Sequence, residues 1–271
     1  MPELPEVETT RRGVEPQVCG RRVEEIIVRQ PRLRWPVPQR LRRELRGQVI
    51  QAVARRGKYL LFATEVGTLI VHLGMSGSLR VVQSEAPPGK HDHLDLALEG
   101  GQSLRLTDPR RFGAALWTRG DPQQHRLLRQ LGPEPLAEGF NGPYLHARAQ
   151  GRKAAIKSFL MDSHVVVGVG NIYANEALFL AGIHPSRAAG RIAVDRQSDL
   201  AMAVKQVLAA AIAAGGTTLR DFVGGDGRPG YFAQQLRVYG RTGAACPTCG
   251  GPIRTARIGQ RSTFYCPACQ H

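Results

Sequence analysis

The first six residues could perform covalent chemistry. They read Met1-Pro2-Glu3-Leu4-Pro5-Glu6, and removal of Met1, which a small second residue permits, would leave Pro2 as a free secondary amine. An α-amino group titrates near ~7.7–8.0 and a proline amine somewhat higher, so a fraction is neutral and nucleophilic where a lysine is almost wholly protonated. The sequence therefore places a potential nucleophile for electrophilic carbon next to two acids.

These acids, Glu3 and Glu6, stand three residues apart where a helix should begin. Pro5 suits the first position of a helix, since its missing N–H would have no partner there, and the residues that follow have helical character. A second interpretation is open at this point. Acidic residues also complement the positive end of a helix dipole, so this stretch could be a helix start without a catalytic role.

A second group of reactive side chains lies near the end of the chain. Cys246-Pro-Thr-Cys249 and Cys266-Pro-Ala-Cys269 are two close pairs, and such spacing predicts a tetrahedral structural zinc site in a two-stranded ribbon. Four sulfur ligands would leave no coordination position open for catalysis. Two disulfides are the alternative, which an oxidising compartment would require. Between the pairs lie three arginines that suit phosphate contact or a solvated surface, Arg254, Arg257 and Arg261. The fifth cysteine, Cys19, is interpreted as a buried thiol.

Composition limits the classes of function. The 271 residues, 42% of them hydrophobic, suffice for two domains and a small appendage, and the formal net charge of +15 would attract a polyanion such as nucleic acid. No apolar run reaches the ~18 residues of a membrane span, and the acidic N-terminus does not resemble a secretory signal. We therefore expect a cytoplasmic protein without membrane association.

The spacing of apolar residues predicts where the domains lie. Short β-branched and apolar runs separated by Gly and Pro predict an antiparallel β-sandwich over residues 1–130, and the Pro/Gly-rich residues 131–143 an interdomain hinge. A helical period follows over residues 144–236, and residues 237–271 hold the cysteine pairs. The expected strands are at residues 22–28, 58–62, 68–72, 79–82, 93–98, 104–106 and 114–118.

A glycine-containing loop separates two of the expected helices. Its sequence, from His164 to Asn171, is HVVVGVGN, in which the glycines allow close backbone approach and Asn171 could cap the next helix. Such a loop could hold a phosphate at the helix N-terminus, or it could be a structural turn with an Asn cap. The loop alone does not distinguish these two interpretations.

Several short strings follow the opening MPELPEVET and extend over nearly the whole chain. They are GKY at 57–59, HLGMSG at 72–77, KHDH at 90–93, DPRRFG at 108–113, GVGNIYA at 168–174 and GRPGY at 227–231. Taken in this order, they resemble the motifs of the formamidopyrimidine-DNA glycosylase family. Leu4 also resembles this family, whereas the related endonuclease VIII usually has Gly at that place.

The resemblance implies an α+β multidomain fold. Its parts are an N-terminal antiparallel β-sandwich with flanking helices, a helical helix-two-turn-helix domain with a lesion-capping loop, and a C-terminal zinc-ribbon β-hairpin. It implies a bifunctional DNA glycosylase and AP lyase of base excision repair, which removes oxidised purines such as 8-oxoguanine and formamidopyrimidines. The expected partner is double-stranded DNA with the lesion opposite cytosine. The family also implies one structural Zn²⁺, monomeric action and association with the bacterial nucleoid.

Residue roles follow from the matching positions. Pro2 would attack C1′ of the damaged nucleotide to give a Schiff base, Glu3 would be the general acid, and Glu6 would orient the site. Lys58 would donate a proton during β-elimination. Arg261 would grip phosphate and assist δ-elimination, with Asn171 as its partner. The product would be a one-nucleotide gap with phosphate at both ends.

The remaining matches concern DNA binding. Met75, Arg110 and Phe112 would fill the space of the everted nucleotide, with Arg110 on the orphaned base, although Met75 and Phe112 alone would suggest core residues. Backbone contacts are expected from His91, Arg152 and Lys157, and lesion capping from Thr217, Thr218 and Tyr231. The pair Ser163-His164 departs from the family pattern and removes one positive charge. Alternatives are an endonuclease VIII-like enzyme for oxidised pyrimidines and a non-catalytic lesion-binding protein.

Overall fold

Residues 2–217 and 235–271 are described by the structure, a computed structural model, and they divide into two units. Unit 1 contains residues 2–130 and 214–217, and unit 2 contains residues 131–213 and 235–271. Residues 214–217 were expected in the second domain. They belong with unit 1 because the buried Thr217 N–H donates to a side chain of the first helix.

Unit 1 is built on two four-stranded antiparallel sheets. Their strand orders are β1-β6-β7-β5 and β2-β3-β4-β8, so β4 to β5 and β7 to β8 are both connections that pass from one sheet to the other. The strand β2 was not predicted, because its sequence AVARR offers a single fully buried residue, Val53. The strands are β1 Val23–Val28, β2 Ala52–Arg56, β3 Tyr59–Ala63, β4 Thr68–His72, β5 Ser78–Gln83, β6 Asp92–Leu98, β7 Gln102–Thr107 and β8 Ala114–Thr118.

Two helices flank these sheets, α1 (Leu4–Val18) and α2 (Gln39–Leu45). Apolar side chains from both sheets and both helices form one core, in which Phe62 and Trp117 are the largest fully buried members. A short 3₁₀ helix, Pro122–Gln124, follows β8. Burial of these side chains provides the main stabilisation, at about 1.5–3 kcal/mol for each large apolar side chain.

Unit 2 is helical apart from its last hairpin. The longest helix, α6, packs against α3 and α5, and its buried apolar positions follow the spacing of one helix face. Its helices are α3 Gly142–Ala149, α4 Ile156–Leu160, α5 Asn171–Leu180 and α6 Val194–Ala213, with a 3₁₀ helix at Ala189–Arg191. Within the described ranges, none of the helices has the length and apolar character that crossing a membrane requires.

The C-terminal part of unit 2 is a small ribbon with its own apolar cluster. Its hairpin consists of β9 (Arg254–Ile258) and β10 (Arg261–Tyr265), joined by Gly259 and Gln260, both with positive φ as a tight hairpin turn requires. Val238, Ile253 and two of the cysteines pack with Phe179 of α5. The predicted α+β architecture with a β-sandwich, a helical domain and a zinc ribbon is confirmed.

Candidate active site and nucleic-acid interface

The N-terminal residues of unit 1 form a buried cluster. Pro2 is buried, and Glu3 and Glu6 are each 2% exposed. The helix begins at Leu4, so Pro5 is its second residue and Glu3 precedes its positive end. Glu6 Oε2 accepts the Glu3 N–H at 2.8 Å, which fixes the backbone next to Pro2. Pro2 and the carboxylates of Glu3 and Glu6 are therefore held together in a region shielded from water.

The second carboxylate oxygen of Glu6 reaches a distant part of the sequence. Glu6 Oε1 accepts the Thr217 N–H at 2.8 Å, and Thr217 is 3% exposed. Gly216 has φ +82°, and a Cβ there would lie 3.3 Å from Glu6 Oε1. One side chain thus joins the backbone beside Pro2 to the end of the segment at 214–217. The other two expected capping residues, Thr218 and Tyr231, lie outside the described residues.

An ion-pair network that was not predicted from the sequence connects helix α1 to the turn that carries Lys58. Arg55 Nε donates to Glu8 Oε2 at 3.1 Å, and Arg55 Nη1 donates to the Gly57 carbonyl at 3.0 Å. Burial opposes ionisation of Glu8, but hydrogen bonds from Arg11, Arg12 and Arg55 hold its pKa below the usual value. The network therefore fixes the first helix relative to the β2–β3 hairpin.

Lys58 occupies the tip of that hairpin. Gly57, with φ +56°, and Lys58 are the two turn residues between paired Arg56 and Tyr59, and Lys58 is half-buried. A glycine at the first position is what a two-residue hairpin turn of this kind requires. The sequence therefore fixes the backbone of Lys58 at the end of the second sheet.

His72 lies at the same end of the sheet. It pairs with Tyr59 in the β3–β4 register, and the two rings are 4.8 Å apart. Burial, together with the positive charges of Lys58 and Arg34, lowers the pKa of His72 to about 4. The ring is therefore neutral near pH 7, and its Nδ1 accepts the Gly74 N–H at 3.0 Å.

Met75, Arg110 and Phe112 occupy two loops that strand pairing places side by side. Phe112 is 42% exposed despite its apolar ring, the Arg110 guanidinium lies 4.9 Å from the centre of that ring, and Met75 is half-buried. An exposed phenylalanine stacked with an arginine suits insertion into a base stack better than a place in the core. His91, half-buried, immediately precedes β6.

The four cysteines of unit 2 form a metal-sized cluster. Their Sγ atoms all lie within 4.8 Å of one another, with Cys246–Cys269 at 3.9 Å and Cys249–Cys266 at 3.4 Å. Zn–S bonds of about 2.3 Å in a tetrahedron place the sulfurs about 3.8 Å apart, whereas a disulfide requires about 2.05 Å. The four residues fit one structural zinc ion, and the disulfide alternative is wrong. Cys19 is half-buried, and burial raises the pKa of its thiol.

The hairpin that carries Arg261 is attached to α4 and α5 by side chains of those helices. The Ser262 carbonyl accepts from Lys157 Nζ at 2.9 Å and from Asn171 Nδ2 at 3.1 Å, and Asn175 Oδ1 accepts the Phe264 N–H at 2.8 Å. Arg261 itself is exposed. These contacts fix the backbone next to Arg261 within unit 2, and the partnership of Arg261 with Asn171 stays a prediction.

Two details of unit 2 differ from the sequence-based expectation. Asn171 does not cap α5, because Gly170 occupies the cap position and the Asn171 amide is turned to the hairpin. Lys157 is 1% exposed and also donates to Thr263 Oγ1 at 2.7 Å. That position suits support of the hairpin, whereas the resemblance implied a direct backbone contact. Arg152 is exposed, and the side chain of exposed His164 contacts Asp162 at 2.9 Å.

Comparison with known proteins identifies relatives along the whole chain. Three family models match: the formamidopyrimidine-DNA glycosylase N-terminal domain over residues 1–115, the H2TH domain over 131–223, and the zinc finger found in FPG and IleRS over 243–271. The formamidopyrimidine-DNA glycosylase of Alkalilimnicola ehrlichii is 62% identical over 276 residues and covers 100% of both chains.

Two solved structures are also similar. A Lactococcus lactis FPG variant in complex with a Fapy-dG-containing DNA aligns with a TM-score of 0.93 and 35% identity over 100% of both chains. The MutM (FPG) protein of Thermus thermophilus aligns with a TM-score of 0.90 and 40% identity over 99% of this chain and 98% of its own.

Proposed function

Because the chain belongs to the formamidopyrimidine-DNA glycosylase family, an enzyme family of base excision repair that acts on oxidised purines, we propose that Pro2 carries its chemistry. The observation that supports this most directly is the Glu6 carboxylate, which binds the Glu3 N–H next to Pro2 with one oxygen and the Thr217 N–H with the other. With Met1 removed, the Pro2 amine attacks C1′ of the damaged nucleotide. A C–N bond to the protein forms as the bond to the base breaks.

Glu3 is the general acid of this proposal. It lies next to Pro2 at the positive end of α1 and is 2% exposed. From this position its carboxyl group delivers a proton to the sugar ring oxygen and takes one back. Ring opening then gives the Schiff base, in which DNA and protein are covalently joined.

Lys58 and Arg261 serve the elimination steps in this proposal. Lys58 is held at the hairpin tip next to the neutral ring of His72, which does not compete with it for a phosphate. Arg261 is exposed on a hairpin whose position Lys157 and Asn171 support, and it binds the phosphate that leaves during δ-elimination. Successive β- and δ-elimination leaves a one-nucleotide gap with phosphate at both ends.

Duplex DNA is the proposed partner, with the lesion opposite cytosine. The net charge of +15 supports binding to the phosphate backbone, and the exposed ring of Phe112 with stacked Arg110 supports insertion at the orphaned base. His91 and Arg152 contact the backbone, and Thr217, Thr218 and Tyr231 belong to the lesion cap. The enzyme acts as a monomer and associates with the nucleoid through DNA.

Borohydride trapping tests this function. A duplex with 8-oxoguanine opposite cytosine should give a covalent adduct that mass spectrometry maps to Pro2 and that Pro2→Gly abolishes. Glu3→Gln should reduce adduct formation by about 100-fold or more, the usual contribution of a general acid, while Glu85→Gln, on an exposed loop, should not. A stronger adduct with an oxidised-pyrimidine duplex would indicate an endonuclease VIII-like specificity. Tight lesion binding without any adduct, from protein with a free Pro2, would leave a lesion-binding protein.

A further inference from the structure

The loops that carry Met75 and Phe112 are bracketed by the same strand pairs. His72, which precedes the first loop, pairs with Ala114, which follows the second. Ser78, which follows the first loop, pairs with Thr107, which precedes the second. Both loops pass from one sheet to the other and begin and end at matched positions. The two loops therefore begin and end next to each other.

Asp108 joins the two loops with a single carboxylate. It is 0% exposed, and its Oδ1 accepts from Ser76 Oγ of the first loop at 3.2 Å and from the Arg110 N–H at 3.3 Å. Its Oδ2 accepts the Gly113 N–H at 2.7 Å. A buried carboxylate with several donors is a strong and directional anchor, because the cost of leaving it without partners is high.

The backbone of Asp108 extends this anchor to the loop of His91. The Asp108 N–H donates to the His91 carbonyl at 2.9 Å, and the Asp108 carbonyl lies 2.8 Å from His93 Nε2. Asp92, next to His91, also pairs with Thr107 in the β6–β7 register. Residues of three separate loops are thus fixed relative to Asp108.

Close backbone contact strengthens the connection between the first two loops. Gly74 has φ +66°, and a Cβ there would lie 2.4 Å from the Phe112 carbonyl carbon and 2.5 Å from the Gly113 nitrogen. Arg111, between the two inserting residues, has φ +56°, a conformation that costs energy for a residue with a side chain. The fold maintains this strained turn because Asp108 holds both of its ends.

We propose that Asp108 is a positioning residue for nucleotide eversion, with Ser76 as the contact through which it controls the Met75 loop. This inference rests on the proposed function, in which Met75, Arg110 and Phe112 enter the DNA stack. Insertion of side chains from two loops requires that both arrive together, because a partly filled gap leaves the unstacking cost uncompensated. Asp108 makes the two loops one rigid body before DNA binds.

The test is the rate of insertion, measured without any chemistry. A duplex carries a stable abasic analogue with 2-aminopurine as the opposite base, and stopped-flow fluorescence follows the change in stacking when protein is added. Ser76→Ala should slow the insertion phase by about 3- to 10-fold, the size of one typical hydrogen bond, while initial binding keeps its rate. Ser76→Thr, which keeps the hydroxyl, should restore the wild-type rate.

Matched controls separate positioning from a general structural effect. Ser84→Ala removes a serine hydroxyl that is hydrogen-bonded to Ser103, away from these loops, and should leave insertion unchanged. Asp108→Asn should slow insertion at least as much as Ser76→Ala, and should add little in a Met75→Ala, Phe112→Ala background, because it acts through those residues. The thermal midpoint of every variant is recorded beside its rate.

Wild-type insertion by Ser76→Ala, or equal slowing by Ser84→Ala, would overturn the proposal. Additive effects of Asp108→Asn in the double-alanine background would do the same. The fluorescence signal does not depend on excision, so these outcomes are readable even if borohydride trapping fails. If the wild-type protein gives the borohydride adduct and Ser76→Ala inserts at the wild-type rate, the proposed function stands and this inference alone is wrong.

Discussion

Lowering the pH should destabilise unit 1 through His72, because the folded protein resists protonation of this side chain. Burial and the nearby Lys58 and Arg34 lower its pKa from 6.5 to about 4, and its Nδ1 already accepts the Gly74 N–H. In the unfolded chain the same ring binds a proton near pH ~6.5. Stability from this group is therefore full above that pH and falls as the pH drops toward the folded-state pKa.

The size of the effect follows from the two pKa values. A shift from 6.5 to about 4 corresponds to about 3 kcal/mol between neutral pH and the folded-state pKa, at about 1.4 kcal/mol per unit. His72→Gln removes the titrating ring and keeps a polar side chain. Wild type should therefore lose about 3 kcal/mol more unfolding free energy than this variant over that pH range.

Urea unfolding followed by tryptophan fluorescence measures this difference. Both tryptophans of the chain, Trp35 and Trp117, lie in unit 1, so the signal reports that unit alone. His91→Gln is the control, and it should keep the wild-type pH dependence because it retains His72. Equal pH dependence in wild type and His72→Gln would refute the reasoning. So would an NMR titration in which the His72 ring protonates near pH ~6.5.

Three further predictions concern other parts of the molecule. Removal of zinc by a chelator, or Cys266→Ser, should unfold the ribbon, since structural zinc contributes about 10–16 kcal/mol to folding. Hydrogen exchange of the β9 and β10 amides should then rise, whereas the control Cys19→Ser should leave that exchange unchanged. Lys157→Met should raise exchange in the same hairpin about tenfold or more without changing the salt dependence of DNA binding. A salt slope reduced by about 0.9 would instead indicate a direct phosphate contact. Gly74→Ala should lower the thermal midpoint far more than Gly101→Ala. Both glycines have positive φ, but a Cβ at Gly74 would lie 2.4 Å from the Phe112 carbonyl carbon, whereas a Cβ at Gly101 meets nothing within 4 Å. Equal effects of the two substitutions would show that the close contact with Phe112 is unimportant for stability.

The zinc centre and the strands could be predicted because the information is local. Two Cys-x-x-Cys pairs specify a four-sulfur site by themselves, and the apolar run at Thr68–His72 has the bounds of β4. The helix α2 was not predicted, because Leu41 and Leu45 are its only two buried apolar positions among charged residues.

The roles of Lys157, Arg55 and Asp108 could not be read from the sequence, because their partners are distant in the chain. Lys157 contacts residues more than 100 positions away, and Arg55 contacts Glu8 at 47 positions. Asp108 belongs to a string that was noted for Arg110 and Phe112, and its burial follows from the meeting of two loops. The sequence signal that could have identified Asp108 was its position directly after the strand that ends at Thr107 and before Pro109.

The bond between Glu6 and Thr217 also has a consequence for the order in which the protein is made. These residues are 211 positions apart, and both belong to unit 1. A ribosome adds about 5–20 residues per second, so Glu6 leaves it about ten seconds or more before Thr217 does. Throughout that time one oxygen of the carboxylate beside Pro2 lacks its final partner. The nascent chain therefore cannot complete the hydrogen bonds of the Glu6 carboxylate until residue 217 of its 271 residues has been synthesised.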